Sequence, residues 1–421
     1  MWWAGALIVD RLMKVKSSIA VLALVASACG GGEATQSGET EVDDSTATVT
    51  SQPAETSTQP PVDFPPDGFP AGVSALDDMA SETFLPPLIP IEGIISGGPP
   101  PDGIPSIDDP MFTDVTTADE WIDDQEPVVV LDVDGDVRAY PVQVMIWHEI
   151  VNDVVGGVPV AVTYCPLCNS AISYVRTIEG RETTFGTSGR LFASALVMYD
   201  RATESLWTHF DGLAVVGVLT GHRLEPVASP LLSWADFKES HPDGQVLDRE
   251  ETGFGRPYGN NPYQGYDNPS SFPFLFNGDV DARSAAMQRV VGVRDGDDAR
   301  AWTLAAISDE VAAVTNTEVG DTELVILWSA GQSSALEGAQ IASGRDVGSV
   351  GVFSPIVDGQ TLTFSFDGES FVDDETGSTW DITGRAVDGE LAGTQLERIP
   401  HLDTFWFAWS TYAPGTDLIE E

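Results

Sequence analysis

The chain has 421 residues, a length that accommodates about two or three domains of ordinary size. Its 66 Asp and Glu against 19 Lys and Arg give a formal net charge of −47. This balance excludes a nucleic-acid-binding protein, because binding to a phosphate backbone depends on clustered Lys and Arg. Hydrophobic residues make up 42% of the chain, including 11 Trp and 18 Phe, so a fully disordered chain is excluded as well.

The N-terminus has the pattern of a secretory signal. Two lysines precede an apolar run, residues 19–28, which is too short to span a bilayer. The run ends in small residues followed by Cys29, an arrangement similar to the lipobox of bacterial lipoproteins. We therefore predict residues 1–29 as a lipoprotein signal peptide, with translation starting at Met13 and a lipid on Cys29 that holds the protein at the membrane. The alternative is a cleaved signal with an incidental cysteine; in both cases the folded part is extracytoplasmic.

Two acidic segments precede the predicted core. Residues 30–85 begin with three glycines and are rich in Ser, Thr, Glu and Pro, a composition that predicts a disordered tether. Residues 86–126 are Pro-rich with interspersed apolar side chains, which indicates an extended strap that ends in a short helix near residues 117–124.

Short phrases recur in the same order in the two halves of the remaining chain. The phrase D-x-x-T-x-x-x-W occurs at residues 200–207 and again at 373–380, and G-x-A occurs at 212–214 and at 384–386. Two copies at a nearly constant offset indicate a duplicated domain and not a solenoid. The predicted parts are lobe one (127–230), a Pro/Gly/Tyr-rich connector (231–285) and lobe two (286–421), a degenerate repeat.

Strand patterns predominate within each lobe. Residues 128–133 and 158–164 are short β-branched runs bounded by Gly, Asp or Pro, as expected of buried strands. One helix is predicted in each lobe, over residues 142–151 and 304–314. The predicted fold class is α+β with β structure predominant.

Lobe one alone carries the residues with metal-ligand chemistry. Cys165-Pro-Leu-Cys168 follows a predicted strand, and His148 lies on the helix before that strand. Two thiolates at this spacing form half of a soft-metal site, which His148 would complete; His209 is a weaker candidate ligand. Such a set suits zinc or copper. The same C-x-x-C pattern, outside the cytoplasm, is also typical of a disulfide that is either redox-active or structural.

The residues around His148 add further candidates. Glu149 is predicted to orient a ligand or to transfer protons. Asn152 stands where a zincin motif would place its second histidine, so that motif is excluded. On a helix, His148 and Asn152 share one face, where they would contact one ligand or cap the helix end.

Two other segments contain candidate ligand-binding residues. A Gly-rich turn with Ser188 and Arg190 is a candidate anion site, together with Arg201, or is a simple chain reversal. A hydrolase built on Ser188 is the weakest alternative, because the nucleophile-elbow motif is incomplete. In the connector, Tyr258 and Tyr263 would line a cleft between the lobes or form an aromatic strap over the junction.

The motifs together resemble the bacterial and archaeal family known as domain of unknown function 3179. The phrases that carry the resemblance are Ala139-Tyr-Pro141, His148-Glu-Ile-Val-Asn-Asp153, Val162-Thr-Tyr-Cys-Pro-Leu-Cys168, Phe185-Gly-x-Ser-Gly189 and Met198-Tyr-Asp-Arg201. The resemblance extends over residues 127–414. The family is uncharacterised, so it implies no activity; it marks the His-Glu and Cys-x-x-Cys phrases as family hallmarks.

Two hypotheses about function follow. The first is an extracytoplasmic lipoprotein with a metal-binding or thiol-redox centre formed by Cys165, Cys168 and His148. The second is a non-enzymatic ligand-binding or scaffolding surface protein in which Cys165 and Cys168 form a structural disulfide.

Overall fold

The structure, a computed structural model, describes residues 64–65 and 68–420. The predicted signal peptide, Cys29 and most of the predicted tether lie outside these residues. Strands predominate over helices in the described part, which confirms the β-predominant α+β class. Within that part, no helix has both the length and the apolar character required to cross a bilayer.

The secondary-structure elements are short and evenly distributed along the chain. The helices are α1 (Val115–Ala118), α2 (Val142–His148), α3 (Trp234–Ser240), α4 (Leu304–Ile307) and α5 (Trp406–Tyr412), with 3-10 turns at Ile91–Gly93, Glu250–Thr252 and Ile341–Ser343. The strands up to residue 247 are β1 (Ile94–Ser96), β2 (Phe112–Asp114), β3 (Pro127–Val133), β4 (Asp136–Pro141), β5 (Ile150–Val155), β6 (Val158–Cys165), β7 (Ser170–Val175), β8 (Thr177–Ile178), β9 (Arg181–Glu182), β10 (Phe185–Phe192), β11 (Ala195–Asp200), β12 (Leu206–Thr208), β13 (Leu213–Val216), β14 (Pro226–Val227), β15 (Leu231–Ser233) and β16 (Gln245–Leu247). The later strands are β17 (Arg289–Asp295), β18 (Asp298–Thr303), β19 (Ala312–Val319), β20 (Thr322–Ser329), β21 (Ser349–Phe353), β22 (Ile356–Val357), β23 (Gln360–Thr361), β24 (Phe364–Phe366), β25 (Phe371–Asp373), β26 (Thr379–Trp380), β27 (Ala386–Asp388), β28 (His401–Phe405) and β29 (Asp417–Ile419).

The strands form corresponding sheets in the two halves of the chain. The hairpin β3–β4 is flanked by antiparallel β15 and parallel β16, and the hairpin β17–β18 is flanked by antiparallel β28 and parallel β29. A ladder β5–β6–β7 corresponds to β19–β20–β21, and a meander β10–β11–β12–β13 to β24–β25–β26–β27. Strands β15 and β16 belong to the first of these sheets, so the sheet continues past the predicted lobe boundary at residue 230.

The recurring D-x-x-T-x-x-x-W phrase closes a turn in both meanders. The Asp200 carboxylate accepts hydrogen bonds from its own turn and, at 3.0 Å, from the indole Nε1 of Trp207. Asp373 accepts the same set, with the indole Nε1 of Trp380 at 3.0 Å. Both indoles are buried, so these residues serve the local fold by satisfying a polar group inside an apolar core.

The segment before β3 lies against the first half. Strand β1 pairs with β10 and β2 pairs with β16, so the predicted strap supplies two edge strands. The predicted tether ends earlier than residue 85, because residues 68–85 pack on the β10–β13 meander. Ala75 is fully buried there, and Leu76, Met79 and Phe84 cover the same apolar cluster.

Both predicted helices are shorter than their apolar periodicity indicated. Helix α2 ends at His148, because Glu149 has a φ of 60° and the β-branched Ile150 begins strand β5. In the second half, α4 ends at Ile307 and the chain turns to extended backbone at Ser308. The prediction that His148 and Asn152 share one face of a helix is therefore wrong, because Asn152 lies in strand β5.

Glu126 ties two helices to the start of β3. Its carboxylate accepts a hydrogen bond from Gln143 Nε2 of α2 at 2.7 Å, and its carbonyl accepts one from the backbone N–H of Trp234 at 2.8 Å. Only 5% of Glu126 is exposed. Burial raises the pKa of this carboxyl to about 7, although the hydrogen bond from Gln143 acts in the opposite direction.

This raised pKa predicts a specific pH dependence of stability for Glu126→Gln. The folded protein holds an extra proton on Glu126 between pH 4.5, the ordinary value, and about pH 7. The contribution of the group is therefore fully present below pH 4.5 and is lost as the pH rises through 7. We expect the free energy of unfolding of the variant, relative to wild type, to rise by about 3 kcal/mol between pH 4.5 and pH 8. Urea denaturation at the two pH values measures this; an unchanged difference would contradict it.

Candidate metal centre

Cys165 and Cys168 occupy a tight turn between two strands of the first half. Cys165 ends β6, and Cys168 lies in the turn that leads to β7; both side chains are buried and both thiols are free. The turn is held from outside, because the Tyr266 hydroxyl donates to the Leu167 carbonyl at 3.0 Å and the Thr404 hydroxyl donates to the Cys168 carbonyl at 2.7 Å. The connector and the second half therefore both position the two thiols.

The histidine that accompanies the thiols is His209. It lies between β12 and β13, and one of its ring nitrogens and the two sulfurs all lie within 4.8 Å of one another. All three residues are buried. The sequence predicted His148 as the third ligand, but the structure brings the histidine ranked second, His209, to the thiols.

The hydrogen bonds of His209 define its tautomer. Its Nε2 lies 2.7 Å from Thr163 Oγ1, and the Thr163 hydroxyl already donates to the Ile172 carbonyl. Nε2 must therefore carry the proton and donate to Thr163, which leaves a lone pair on Nδ1. Nδ1 is buried and has no hydrogen-bond partner among the described residues. Burial lowers the pKa of His209 to about 3, so the ring is neutral at physiological pH.

The two thiols differ in their acidity. Burial raises the pKa of Cys165, but hydrogen bonds from the Cys168 thiol and from the N–H groups of Leu196, Cys168 and Leu167 outweigh it and hold this pKa below its ordinary value. Burial raises the pKa of Cys168, and its hydrogen bond to Cys165 and the charge there raise it further. Cys165 is thus the more acidic thiol of the pair.

Glu149 and Tyr263 are the predicted site residues that border Cys165. Glu149 is 7% exposed and lies at the strained end of α2, with a φ of 60°. Burial, reinforced by the charge of Cys165, raises the pKa of Glu149 well above its ordinary value. Burial also raises the pKa of Tyr263, and the charges of Glu149 and Cys165 add to that effect. A carboxyl with a raised pKa therefore lies beside the thiol pair.

His148 has a different role from the predicted one. Its Nδ1 lies 2.7 Å from the Pro105 carbonyl and its Nε2 lies 2.8 Å from the Tyr258 hydroxyl, so both ring nitrogens are hydrogen-bonded. The Tyr258 hydroxyl also bonds to Thr252 Oγ1 at 2.8 Å. His148 and Tyr258 thus fasten the connector to α2 and to the strap, and neither lines an open cleft.

Asn152 does not join His148 on a common face. It lies in β5, where its amide side chain exchanges two hydrogen bonds of 2.8 Å with the backbone of Phe185. It donates a third bond to Asp108 at 2.7 Å. Asn152 therefore connects β5 to the beginning of β10, and its hydrogen bonds leave it no part in the thiol centre.

The predicted anion site is not assembled. Ser188 lies in a β-bulge, where its hydroxyl donates to the Val197 carbonyl of the next strand. Arg190 donates to the Leu76 carbonyl at 2.9 Å, and Arg201 forms an ion pair with Asp108 at 2.7 Å. These side chains are used in separate structural contacts, so they form neither a common positive pocket nor a serine-hydrolase site.

A signal for His209 was present in the recurring D-x-x-T-x-x-x-W phrase. The residue two positions after Trp207 is His209, whereas two positions after Trp380 it is Ile382. The strand pairing distinguishes Cys165 in the same way. Cys165 is the last residue of β6 and pairs with Ser170, whereas the last residue of β20 is Ser329, which pairs with Ser349. Comparing the two halves position by position singles out both ligands.

The tautomer predicts how the centre responds to loss of the Thr163 hydroxyl. In Thr163→Val, the buried Nε2–H of His209 has no acceptor, so we expect the metal-free protein to lose about 1–3 kcal/mol of unfolding free energy. Thr163→Ser keeps the acceptor and is the matched control. Two-dimensional ¹⁵N NMR of the His209 ring should show the Nε2–H form in wild type. A ring protonated at Nδ1 would overturn the assignment.

The comparisons with known proteins give a family and no described activity. No curated protein and no solved structure matches this chain. Residues 101–416 match the family described as "Protein of unknown function (DUF3179)". The match covers well over half of the chain and contains the Cys-Pro-Leu-Cys turn, His209 and the strands that hold them. The chain is therefore a member of the DUF3179 family.

Proposed function

We propose that the protein holds a metal ion, with zinc favoured, through Cys165, Cys168 and His209. The observation that carries the proposal is the buried lone pair on His209 Nδ1, which has no partner among the described residues and belongs to a ring within 4.8 Å of both sulfurs. A buried acceptor without a partner costs about 1–3 kcal/mol, and a metal ion removes that cost. A metal-bound histidine usually donates a hydrogen bond from the ring nitrogen that does not bind the metal. Here Thr163 accepts that hydrogen bond from Nε2 of His209 and so fixes the orientation of the ring.

The charge balance of the buried centre favours zinc over copper. Two thiolates, a neutral imidazole and Zn²⁺ have zero net charge, whereas Cu⁺ leaves one uncompensated negative charge. An uncompensated charge is expensive in a site whose three side chains are buried. Cys168 carries its proton in the metal-free state, so binding releases that proton to solvent as the second thiolate forms.

The centre has room for a chemical role beside Glu149. Three protein ligands leave one position of a tetrahedral zinc ion free, which is typical of catalytic sites. Burial raises the pKa of Glu149 well above its ordinary value, and the charge of Cys165 contributes to the shift. A bound cation would offset that charge, so Glu149 is the group suited to exchange a proton with a fourth ligand. Its role is proposed as proton transfer and not as a metal ligand.

Thiol redox activity is the second candidate function. A first cysteine with a lowered pKa and a second with a raised pKa is the pattern of a redox-active dithiol. However, Cys165 is 2% exposed and Cys168 is fully buried, so another protein's disulfide cannot reach either sulfur without an opening of the fold. The structural-disulfide alternative receives no support, because both thiols are free.

We further propose an extracytoplasmic lipoprotein with two duplicated lobes, of which only the first carries the centre. The corresponding sheets and the matched Asp200–Trp207 and Asp373–Trp380 contacts support the duplication. Lobe two then serves as a structural partner, since its Thr404 binds the Cys168 carbonyl. The signal pattern that ends at Cys29 supports the location.

The ligand set makes a direct prediction for metal content. We expect the purified protein to bind one equivalent of Zn²⁺, and Cys165→Ser, Cys168→Ser and His209→Gln each to lower the affinity at least about 100-fold. His148→Gln is the matched control, because it removes a buried histidine whose two nitrogens are already hydrogen-bonded. Elemental analysis and competition with a chromophoric chelator measure the affinity.

The outcomes separate the ligand sets. Zinc lost from the His148→Gln protein but kept by the His209→Gln protein would restore the original prediction. A wild-type protein that binds neither Zn²⁺ nor Cu⁺ would reject the metal proposal. Circular dichroism of each variant shows whether a loss of metal reflects a loss of fold.

The proposed location predicts a change of cell fraction for Cys29→Ser. Without the lipid-bearing thiol, the protein should leave the membrane fraction and appear in the soluble extracytoplasmic fraction, because the proposed anchor is the lipid modification of Cys29. Cys168→Ser is the matched control and should stay with the membrane. Equal distribution of wild type and Cys29→Ser would contradict lipidation at this position.

A further inference from the structure

A cavity of about 270 Å³ lies between the first and second halves of the described chain, separate from the thiol centre. Strands β7 and β17 and helix α5 contribute to its wall. Its volume is near the lower end of the range for small-molecule sites, about 300 Å³ and above. The side chains that define its chemistry are Tyr174, Phe210, Arg223, Arg294, His401 and Trp409.

Arg294 is the unusual member of this wall. Its Nε and Nη2 are buried and have no hydrogen-bond partner among the described residues. The guanidinium carbon lies 5.2 Å from the centroid of the Trp409 ring and 5.9 Å from that of Phe210. These ring contacts compensate only part of the charge and none of the N–H groups. The guanidinium therefore brings an incompletely compensated positive charge to the wall of the cavity, a charge that an anionic ligand would complement.

The neighbouring charges leave the cavity with a net positive character. Asp211 is the acidic residue of the wall, and it accepts a hydrogen bond from Thr208 and lies 3.7 Å from Arg223. Asp211 therefore faces two arginines, Arg223 and Arg294, and balances only one of them. Burial lowers the pKa of His401, so its ring is neutral at pH 7. An anion is thus the ligand charge that completes this cavity.

The apolar part of the wall is shaped by a glycine. A Cβ on Gly292 would lie 2.3 Å from the ring of Trp409, so only glycine at this position of β17 lets the indole lie against the strand. Phe210 and Tyr174 contribute to the same wall and are buried, and the Phe210 ring centroid lies 6.3 Å from that of Trp409. The cavity therefore combines one unpaired guanidinium with aromatic walls.

From these contacts, we propose that this cavity binds a small organic carboxylate with an apolar body, whose carboxylate pairs with Arg294 and whose body packs against the apolar part of the wall, which includes Val227 and Leu402. The proposal is independent of the metal centre. It predicts that charge and aromatic shape are both required in the ligand. Benzoate has both features, and benzamide has the same shape without the charge.

Titration of the wild-type protein with the two probes tests the charge requirement. We expect benzoate to bind at least about tenfold more tightly than benzamide, because a charge-assisted pair with a guanidinium exceeds a neutral one. Ligand-observed NMR with competition between the probes measures the ratio. Equal affinities, or no binding of benzoate, would overturn the proposal.

Two variants test the assignment to Arg294. We expect Arg294→Met to lower the affinity for benzoate at least about tenfold and to leave that for benzamide nearly unchanged. Arg283→Met is the matched control, because Arg283 also lies over a tryptophan, 5.1 Å from the centroid of Trp406, but has its own ion pair with Asp281 at 2.7 Å. Equal loss in both variants, or none in Arg294→Met, would contradict the site. If Arg294→Met does not fold, the wild-type comparison of the two probes still decides.

Discussion

The hydrogen bond from His209 Nε2–H to Thr163 Oγ1 is the interaction on which the thiol centre depends. It fixes the ring beside Cys165 and Cys168, sets the tautomer and leaves the Nδ1 lone pair without a partner among the described residues. A buried polar atom without a partner is rare in native proteins, since each one costs free energy that folding must offset elsewhere. Strained Glu149 and the Cys-Pro-Leu-Cys turn lie around the same point. This concentration of unfavourable features at one place is typical of a functional site.

The second half shows what the same sheets look like without a centre. Thr163 lies two residues before the end of β6, and Leu327 lies two residues before the end of β20. Leu327 is fully buried and apolar, and Ile382, two positions after its tryptophan, is 5% exposed and apolar too. The core there closes with aliphatic packing and needs no polar pair. The polar set of the first half is therefore not a requirement of the sheet arrangement.

The fold class and the thiol turn were predictable from the sequence, but the third ligand was not. Strand patterns and the C-x-x-C spacing are local, so residues 158–168 contain enough information to place the turn after a strand. The contact between His209 and Thr163 joins two sheets, and neither sequence separation nor periodicity encodes it. The predicted common face of His148 and Asn152 depended on extending a helix past Glu149. The positive φ of Glu149 ends the helix at His148, and helical periodicity does not indicate that φ value.

The two proposed sites share one short segment of backbone, residues 208–211. His209 provides its ring to the thiols, while Phe210 and Asp211 line the cavity. The Tyr174 hydroxyl, at the cavity wall, donates to the His209 carbonyl at 2.7 Å and so holds this segment from the cavity side. Ligands that both order the same segment bind with a coupling free energy, and linkage requires that each changes the affinity of the other by the same factor. A metal ion and an anion bound as proposed would therefore be thermodynamically linked through this segment if each of them orders it.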